Sequence, residues 1–337
     1  MKAVGYKKPL PIEDPESLLD IDIPAPEAKG RDLLIEVKAI SVNPVDMKVR
    51  RSAKPDGTEY KVLGWDAAGV VKQAGPESTL FKAGDEVYYA GSIARPGTNS
   101  ELHLVDERIV GKKPISLSFK HAAALPLTTI TAWELLFDRF GVKQEKQADE
   151  GSILVIGGAG GVGSILIQLA RQLTGLTVIA TASRPETQQW CRDLGAHHVI
   201  DHAKPFTDQL RAIGHAEVEY VASLTATDIH YPAVVEVLAP QGKFGLIDDP
   251  KTLDAKPLKR KAASLHWEFM FARPLYGTHD ILAQHHLLNE VSKLVDAGVI
   301  RTTANDVLGS INATNLKKAH ALLESGRARG KIVLEGF

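Results

Sequence analysis

The sequence predicts an α/β chain in two parts, a small bent β-domain and a doubly wound parallel sheet. Three observations carry this. The first third holds short runs rich in Val, Ile and Tyr, separated by Gly and Pro. From about Ala122 strand and helix patterns alternate. A glycine-rich turn joins the first of those alternating strands to its helix.

The β-part is read from candidate strands at 1–5, 33–40, 69–73, 86–89 and 101–105, with turns at 54–57 and 95–97. The segment after strand 33–40 is read as a loop. Helical spacing follows at 122–140, with Pro126 near its start. Then come strand 152–156, helix 162–173, strand 177–181, helix 186–194, strand 199–200, helix 206–213, strand 218–222, helix 229–238, strand 243–247 and strand 262–267. This alternation calls for crossover connections and parallel pairing. A long helix at 281–297, a helix at 316–324 and a strand at 331–334 close the chain, and the last strand is placed to return to the first sheet.

A length of 337 residues suits two domains of about 150 residues each. The net charge of −1 offers neither the basic excess that nucleic acid attracts nor an acidic tail. The single cysteine, Cys191, excludes an internal disulfide and suits a reducing cytoplasm. No apolar leader opens the chain, and no apolar run approaches the ~20 residues of a membrane helix.

The turn reads ILVIGGAGGVG over 153–163, and Gly158, Gly160 and Gly163 satisfy G-x-G-x-x-G. Gly158 is expected to make the tight turn, Gly160 to leave room for a pyrophosphate, and Gly163 to let the helix pack on the strand. Gly161 and Val162 open the helix, whose N–H groups and partial positive charge face the phosphates. The alternative is a packing turn without a ligand. Cofactor choice is read at the end of strand 177–181. No carboxylate appears before Glu186, where an NAD-binding turn carries an acid for the ribose diol. Ser183 and Arg184 offer a hydroxyl and a charged fork to a 2′-phosphate, so NADPH is the expected cofactor. The alternatives are that Ser183 caps the helix and that Arg184 is a solvated surface residue.

These residues resemble the medium-chain dehydrogenases/reductases. So do Ser41–Asp46 (SVNPVD), Leu63–Val70 (LGWDAAGV), Phe81–Val87 (FKAGDEV), Ala124–Trp133 (ALPLTTITAW) and Gly330–Leu334 (GKIVL), in the family's order across nearly the whole chain. The resemblance implies a discontinuous GroES-like β-domain of residues 1–124 and 272–337 and a Rossmann domain of residues 125–271, with the active site in a cleft between them. It also implies a homodimer. The positions matching the family's catalytic zinc ligands are Asn43, Trp65 and Leu127, with Asp66 following Trp65. None of those three side chains replaces a thiolate or imidazole at tetrahedral zinc, and one cysteine cannot build the family's four-cysteine structural site. No metal is therefore expected, the pattern of the quinone oxidoreductase-like branch. Without a Lewis acid to activate an alcohol, hydride addition to a quinone or an α,β-unsaturated carbonyl is the favoured chemistry.

The resemblance places Asn43, Asp46, Trp65 and Thr128 near substrate. Asn43 donates to a substrate carbonyl or is a turn residue satisfied beside Pro44. Asp46 relays a proton or accepts backbone N–H groups. Trp65 is an aromatic wall or core packing, and Thr128 contacts substrate or stands at a helix start. Ser223 and Leu224, Leu246 and Ile247, at carboxyl ends of later strands, are expected along the cofactor, and Arg329 either reaches it or is a solvated cation. His266 and Trp267 line the pocket, an edge strand at the dimer interface, or both. The pairs His197–His198 and His285–His286 are not read as metal ligands, and Cys191 is read as a packing residue. Three other readings are weighed. A short-chain dehydrogenase needs Tyr-x-x-x-Lys, which none of the seven tyrosines provides. A zinc alcohol dehydrogenase lacks its ligands. A non-catalytic NADPH-binding protein stays open, because folds do not dictate function.

Overall fold

The computed structural model describes residues 1–55, 60–146 and 151–337. Residues 56 and 57 of the turn expected at 54–57 lie outside them. In chain order the elements are β1 (Lys2–Tyr6), β2 (Leu19–Asp22), β3 (Asp32–Val42), α1 (Pro44–Ser52), β4 (Lys61–Val62), β5 (Ala67–Ala74), β6 (Glu86–Tyr89), β7 (Leu102–Asp106), β8 (Val110–Lys112), α2 (Phe119–Ala123) and α3 (Pro126–Trp133). A π-helical segment, Glu134–Arg139, follows. Then come β9 (Ser152–Ile156), α4 (Gly161–Leu173), β10 (Thr177–Thr181), α5 (Pro185–Asp193), β11 (His198–Ile200), α6 (Phe206–Ala212), β12 (Val218–Ser223), α7 (Thr227–Val237), β13 (Leu238–Leu246) and β14 (Ser264–Trp267). The chain closes with α8 (Ala272–Tyr276), α9 (Leu282–Asp296), β15 (Ala304–Val307), α10 (Ala313–Glu324) and β16 (Lys331–Glu335).

The chain divides into two compact units, Met1–Ile130 with Phe271–Phe337, and Thr131–Met270. In the first, strands lie in the order β15-β16-β3-β5-β6-β8, with β7 also on β3, and a small sheet β2-β1-β4 accompanies them. The terminal strand β16 does return: it pairs antiparallel with β3 in the register Ile332↔Val42 and Leu334↔Ile40. The second unit is a six-stranded sheet in the order β11-β10-β9-β12-β13-β14, and every pairing is parallel. The order reverses between β9 and β12, the switch point where doubly wound sheets bind ligands. All five residues of β9 are buried, as expected of a central parallel strand covered on both faces. Leu154, Ile179, Val221, Phe244 and Leu246 form the core beneath it.

Two expectations need correction. The segment after β3 is a helix, α1, rather than a loop. Its sequence PVDMKVRRS has little apolar periodicity, and Pro44 at its first turn with Asp46 at its third position supplies the start signal instead. The helix expected over 122–140 is broken into α2, α3 and the π segment. Leu125 precedes Pro126, and the residue before a proline disfavours helical backbone. The apolar run of Leu135 and Leu136 does not reveal the change from α to π hydrogen bonding.

Candidate active site

The glycine turn sits at the carboxyl end of β9. Gly157 is the residue in the left-handed region, with φ +85°, so it makes the tight turn assigned above to Gly158. Its N–H donates to Thr181 Oγ1 (3.1 Å), and Gly158 N–H donates to Thr181 O (3.1 Å), tying the turn to the end of β10. Gly158 serves packing: a Cβ there would lie 2.8 Å from Ala180 Cβ and 3.1 Å from Cys191 Sγ. A Cβ on Gly163 would lie 2.4 Å from Gly157 O, so only glycine lets α4 approach the turn this closely. Gly160 differs. A Cβ there would meet one atom within 4 Å, Gly157 O at 3.4 Å, so this glycine faces open space. Gly160 caps α4 with no side-chain bond, and Gly161, Val162 and Gly163 form the first turn, presenting N–H groups beside it. This cradle fits a dinucleotide's diphosphate.

At the end of β10, Ser183 is exposed and Arg184 is half-buried. Arg184, not Ser183, is the cap residue of α5, because Pro185 occupies the first helical position. The Arg184 guanidinium contacts Glu186 (3.3 Å). Cys191 is fully buried, and burial pushes its thiol up to about 12, which fits the packing role. The loop after β12 lies against the turn, since a Cβ on Gly157 would come within 2.9 Å of Thr225 Cγ2. Leu224 N–H donates to Ile156 O (3.2 Å), and Ile247 N–H donates to Ser223 O (3.3 Å). The Ser223 hydroxyl is buried against Thr227 Oγ1 (2.8 Å), and Thr227 N–H donates to Asp248 (2.9 Å). Leu246 points its side chain into the core, so of the four expected cofactor contacts Ser223 and Leu246 have side chains already committed. Asp248 was not anticipated. Its signal was faint, the first of two acids just beyond a buried strand.

In the first unit a second polar cluster forms around the residues expected near substrate. Asn43 caps α1, and its N–H donates to Asp46 Oδ2 (2.7 Å). Its amide Nδ2 donates to Asp66 Oδ2 (2.9 Å) and approaches Trp65 O (3.4 Å). Its Oδ1 accepts from Lys331 Nζ, which also donates to Asp66 Oδ2 (3.0 Å) and Val42 O (3.1 Å). Asp66 Oδ1 accepts the N–H of Leu127 at the start of α3 (2.8 Å). Asn43, Asp46, Asp66 and Lys331 are all buried. Burial pushes the Asp46 carboxyl up to about 7; the Asp66 charge adds to the rise, while the Asn43 N–H and Lys331 oppose it. Burial also raises Asp66, against Lys331 and its hydrogen bonds.

This geometry revises several roles. The Asn43 amide has its partners inside the cluster, so it does not offer a free donor to a substrate carbonyl. Trp65 is 1% exposed, bonds Ser92 O through Nε1 (3.2 Å) and meets Phe271 edge-on at 6.1 Å, the core-packing alternative. The Thr128 hydroxyl donates locally to Leu125 O (3.1 Å). Arg329 is half-buried and donates to Asn305 Oδ1 (2.8 Å). His266 bonds Ser264 Oγ (2.8 Å), and Trp267 is 53% exposed on the edge strand β14. Lys331 was missed. A lysine opening an apolar strand reads as a solvated end, and only the β16–β3 register brings it to Val42 and Asn43.

Comparison with known proteins gives two family models, an alcohol dehydrogenase GroES-like domain at residues 29–115 and a zinc-binding dehydrogenase domain at residues 194–334. A zinc-type alcohol dehydrogenase-like protein of Staphylococcus aureus is 39% identical over 99% of both chains. The chain belongs to the medium-chain dehydrogenase/reductase superfamily. Within that superfamily, a putative zinc-dependent alcohol dehydrogenase from Rhizobium etli is 60% identical, with TM-score 0.96 over 100% of this chain and 98% of that one. A 2-methylene-furan-3-one reductase from Solanum lycopersicum is 30% identical over 94% of this chain and 74% of its own length. A quinone oxidoreductase from Coxiella burnetii is 28% identical, with TM-score 0.80 over 100% and 99%. The superfamily assignment makes this chain an oxidoreductase. The chain carries the superfamily's GroES-like domain and a Rossmann-like nucleotide-binding domain with a parallel sheet.

Zinc does not fit the donors present. Asn43, Trp65 and Leu127 contribute an amide, an indole already bonded to Ser92 and an alkyl chain, and the acceptors around them are oxygens gathered on Lys331. Among the described residues no group of three or more His, Cys, Asp or Glu side chains is arranged to hold a metal, and no helix is long and apolar enough to cross a membrane.

Proposed function

We propose that this chain is an NADPH-dependent oxidoreductase that transfers hydride, without zinc, to a quinone or an α,β-unsaturated carbonyl. The single observation that carries the reading is the glycine turn, open at Gly160 and followed at the end of β10 by Ser183 and Arg184 with no carboxylate before Glu186. NADPH, when bound, supplies the hydride. The chain's own part is to seat the diphosphate on the first turn of α4, with Gly161, Val162 and Gly163 as N–H donors. Arg184 turns from Glu186 to the 2′-phosphate, assisted by Ser183, and the backbone at Leu224 and Ile247 borders the cofactor. The buried Asn43–Asp66–Lys331 cluster stiffens the starts of α1 and α3, and Thr128 on α3 meets substrate only by giving up its bond to Leu125 O. The reductase and quinone oxidoreductase relatives support this substrate class.

A homodimer through the edge of β14 belongs to the same proposal and rests on the exposure of Trp267 and Phe269 beside an edge strand. A cytoplasmic location rests on the single buried thiol. Steady-state assays with NADPH and NADH against quinones and enones test the function. Turnover of one class with NADPH preferred is expected. A preference of about tenfold for NADH overturns the Arg184 assignment, and tight NADPH binding with no turnover across the panel favours a non-catalytic protein.

A further inference from the structure

The cluster around Asn43 contains its own cation. An ammonium has three N–H donors, and Lys331 Nζ has three oxygen acceptors: Val42 O (3.1 Å), Asp66 Oδ2 (3.0 Å) and Asn43 Oδ1. Its side chain is 3% exposed and that of Asp66 is 0% exposed. The three acceptors come from the end of β3, the cap of α1 and the turn before β5, more than 260 residues away along the chain. A second buried carboxyl, Asp46, adjoins them through Asn43 N–H. Every acceptor of the ammonium is a hard oxygen, and the ammonium occupies the position among them.

We propose that Lys331 is the resident cation of this site, an ammonium that supplies the positive charge around which Val42 O, Asn43 Oδ1 and Asp66 Oδ2 are gathered, so that no metal ion is needed there. It is a positioning residue. Through Asp66, whose other oxygen accepts Leu127 N–H, it fixes the start of α3, which carries Thr128. Through Asn43 Oδ1 it fixes the amide that faces Asp66 and the cap of α1. Because the cation is covalently part of β16, the site cannot lose or exchange it, and zinc gains no entry while Lys331 is present.

Three measurements on the full chain test this, and only the last rests on the proposed activity. First, the purified chain, stripped with EDTA and incubated with zinc chloride, should retain less than about 0.1 zinc per chain and show no shift in melting temperature. Stoichiometric retention overturns the proposal. Second, Lys331→Met should lower the melting temperature, and Lys331→Met/Asp66→Asn should recover part of that loss, because removing the carboxylate relieves the unpaired charge. A double variant whose losses simply add marks Lys331 as space-filling and overturns the proposal. A single variant that melts like the parent does the same. Third, with an active quinone or enone, Lys331→Met should lower kcat about tenfold while KM for NADPH moves less than about twofold, and Lys331→Arg should restore most of kcat. An unchanged kcat, or no rescue by arginine, removes the positioning role. Absence of any turnover in the parent would sink the activity reading alone, since the zinc and melting measurements still report on the cation.

Discussion

The glycine turn and the Lys331 cluster solve the same physical problem, holding charge inside a fold, in opposite ways. The turn uses backbone: seven consecutive residues, 157–163, offer N–H groups and empty space, and no side chain is spent. The cluster uses side chains from three separate segments, 43–46, 66 and 331, and its charges neutralise one another in the interior. The turn is therefore built to receive charge from a ligand, whereas the cluster is already complete. Damage to the turn should appear first in cofactor binding. Damage to the cluster should appear first in stability.

The sharpest way to break this contrast is Asp66→Leu. It leaves the Lys331 ammonium buried without its carboxylate, and a loss of about 3–5 kcal/mol of unfolding free energy is expected, read by urea denaturation. A loss below about 1 kcal/mol would show that the cluster is less dependent on paired charge than its burial implies. Next comes Gly163→Ala. Its Cβ would sit 2.4 Å from Gly157 O, so α4 must move off the turn at a cost of about 2–3 kcal/mol, with loss of NADPH binding in calorimetry. Gly160→Ala separates the two functions of the turn. Its Cβ points into open space, so stability should stay within about 0.5 kcal/mol of the parent while NADPH binding weakens.

A smaller effect is expected at Arg184. Arg184→Ala should weaken NADPH about tenfold relative to NADH, the size of one charged contact, and leave stability unchanged. Equal weakening of both cofactors would move the 2′-phosphate contact elsewhere.

The last comparison is a pH dependence, and it comes from a third buried group. Glu268 is held by Arg139 Nε (2.8 Å) near Glu134. Burial first, and then the Glu134 charge, push its carboxyl up to about 9 against the pull of Arg139. The folded chain thus keeps a proton that the unfolded chain, at 4.5, releases, so stability should fall as pH rises from about 4.5 to about 9. Asp46, raised from 3.8 to about 7, acts in the same direction over its own window. Glu268→Gln should flatten the decline, and at pH 9 it should match or exceed the parent in melting temperature. A steeper alkaline decline in the variant would contradict the assignment.

Legibility followed range. Strands β9 and β10 and the turn between them were readable because a β-branched run, glycines and an apolar-periodic helix are adjacent in the chain. Even there, the tight turn expected at Gly158 falls on Gly157, since a sequence shows which residues are glycine but not which one takes a positive φ. Helix α1 was not readable from periodicity. Its face is decided by Asp46 and Arg50, polar side chains buried by partners elsewhere: Asn43 N–H for Asp46, Glu324 and Leu10 O for Arg50. For Asp46 and Trp65 one of the two readings drawn from the sequence, a backbone N–H acceptor and a packed core residue, is the one found. For Asn43 the partners were not readable, and its amide was drawn toward an external ligand because its internal partner, Lys331, lay 288 residues beyond it.

By itself the sequence determined the α/β class, the dinucleotide turn and the lack of soft metal ligands at Asn43, Trp65 and Leu127. Each of these depends on residue identity or on neighbours along the chain. Only the tertiary structure decided that the Asn43 amide is committed and that a lysine supplies the cation. Both follow from the antiparallel register of β16 on β3, and a one-residue slip in that pairing would turn Lys331 to the opposite face of the sheet.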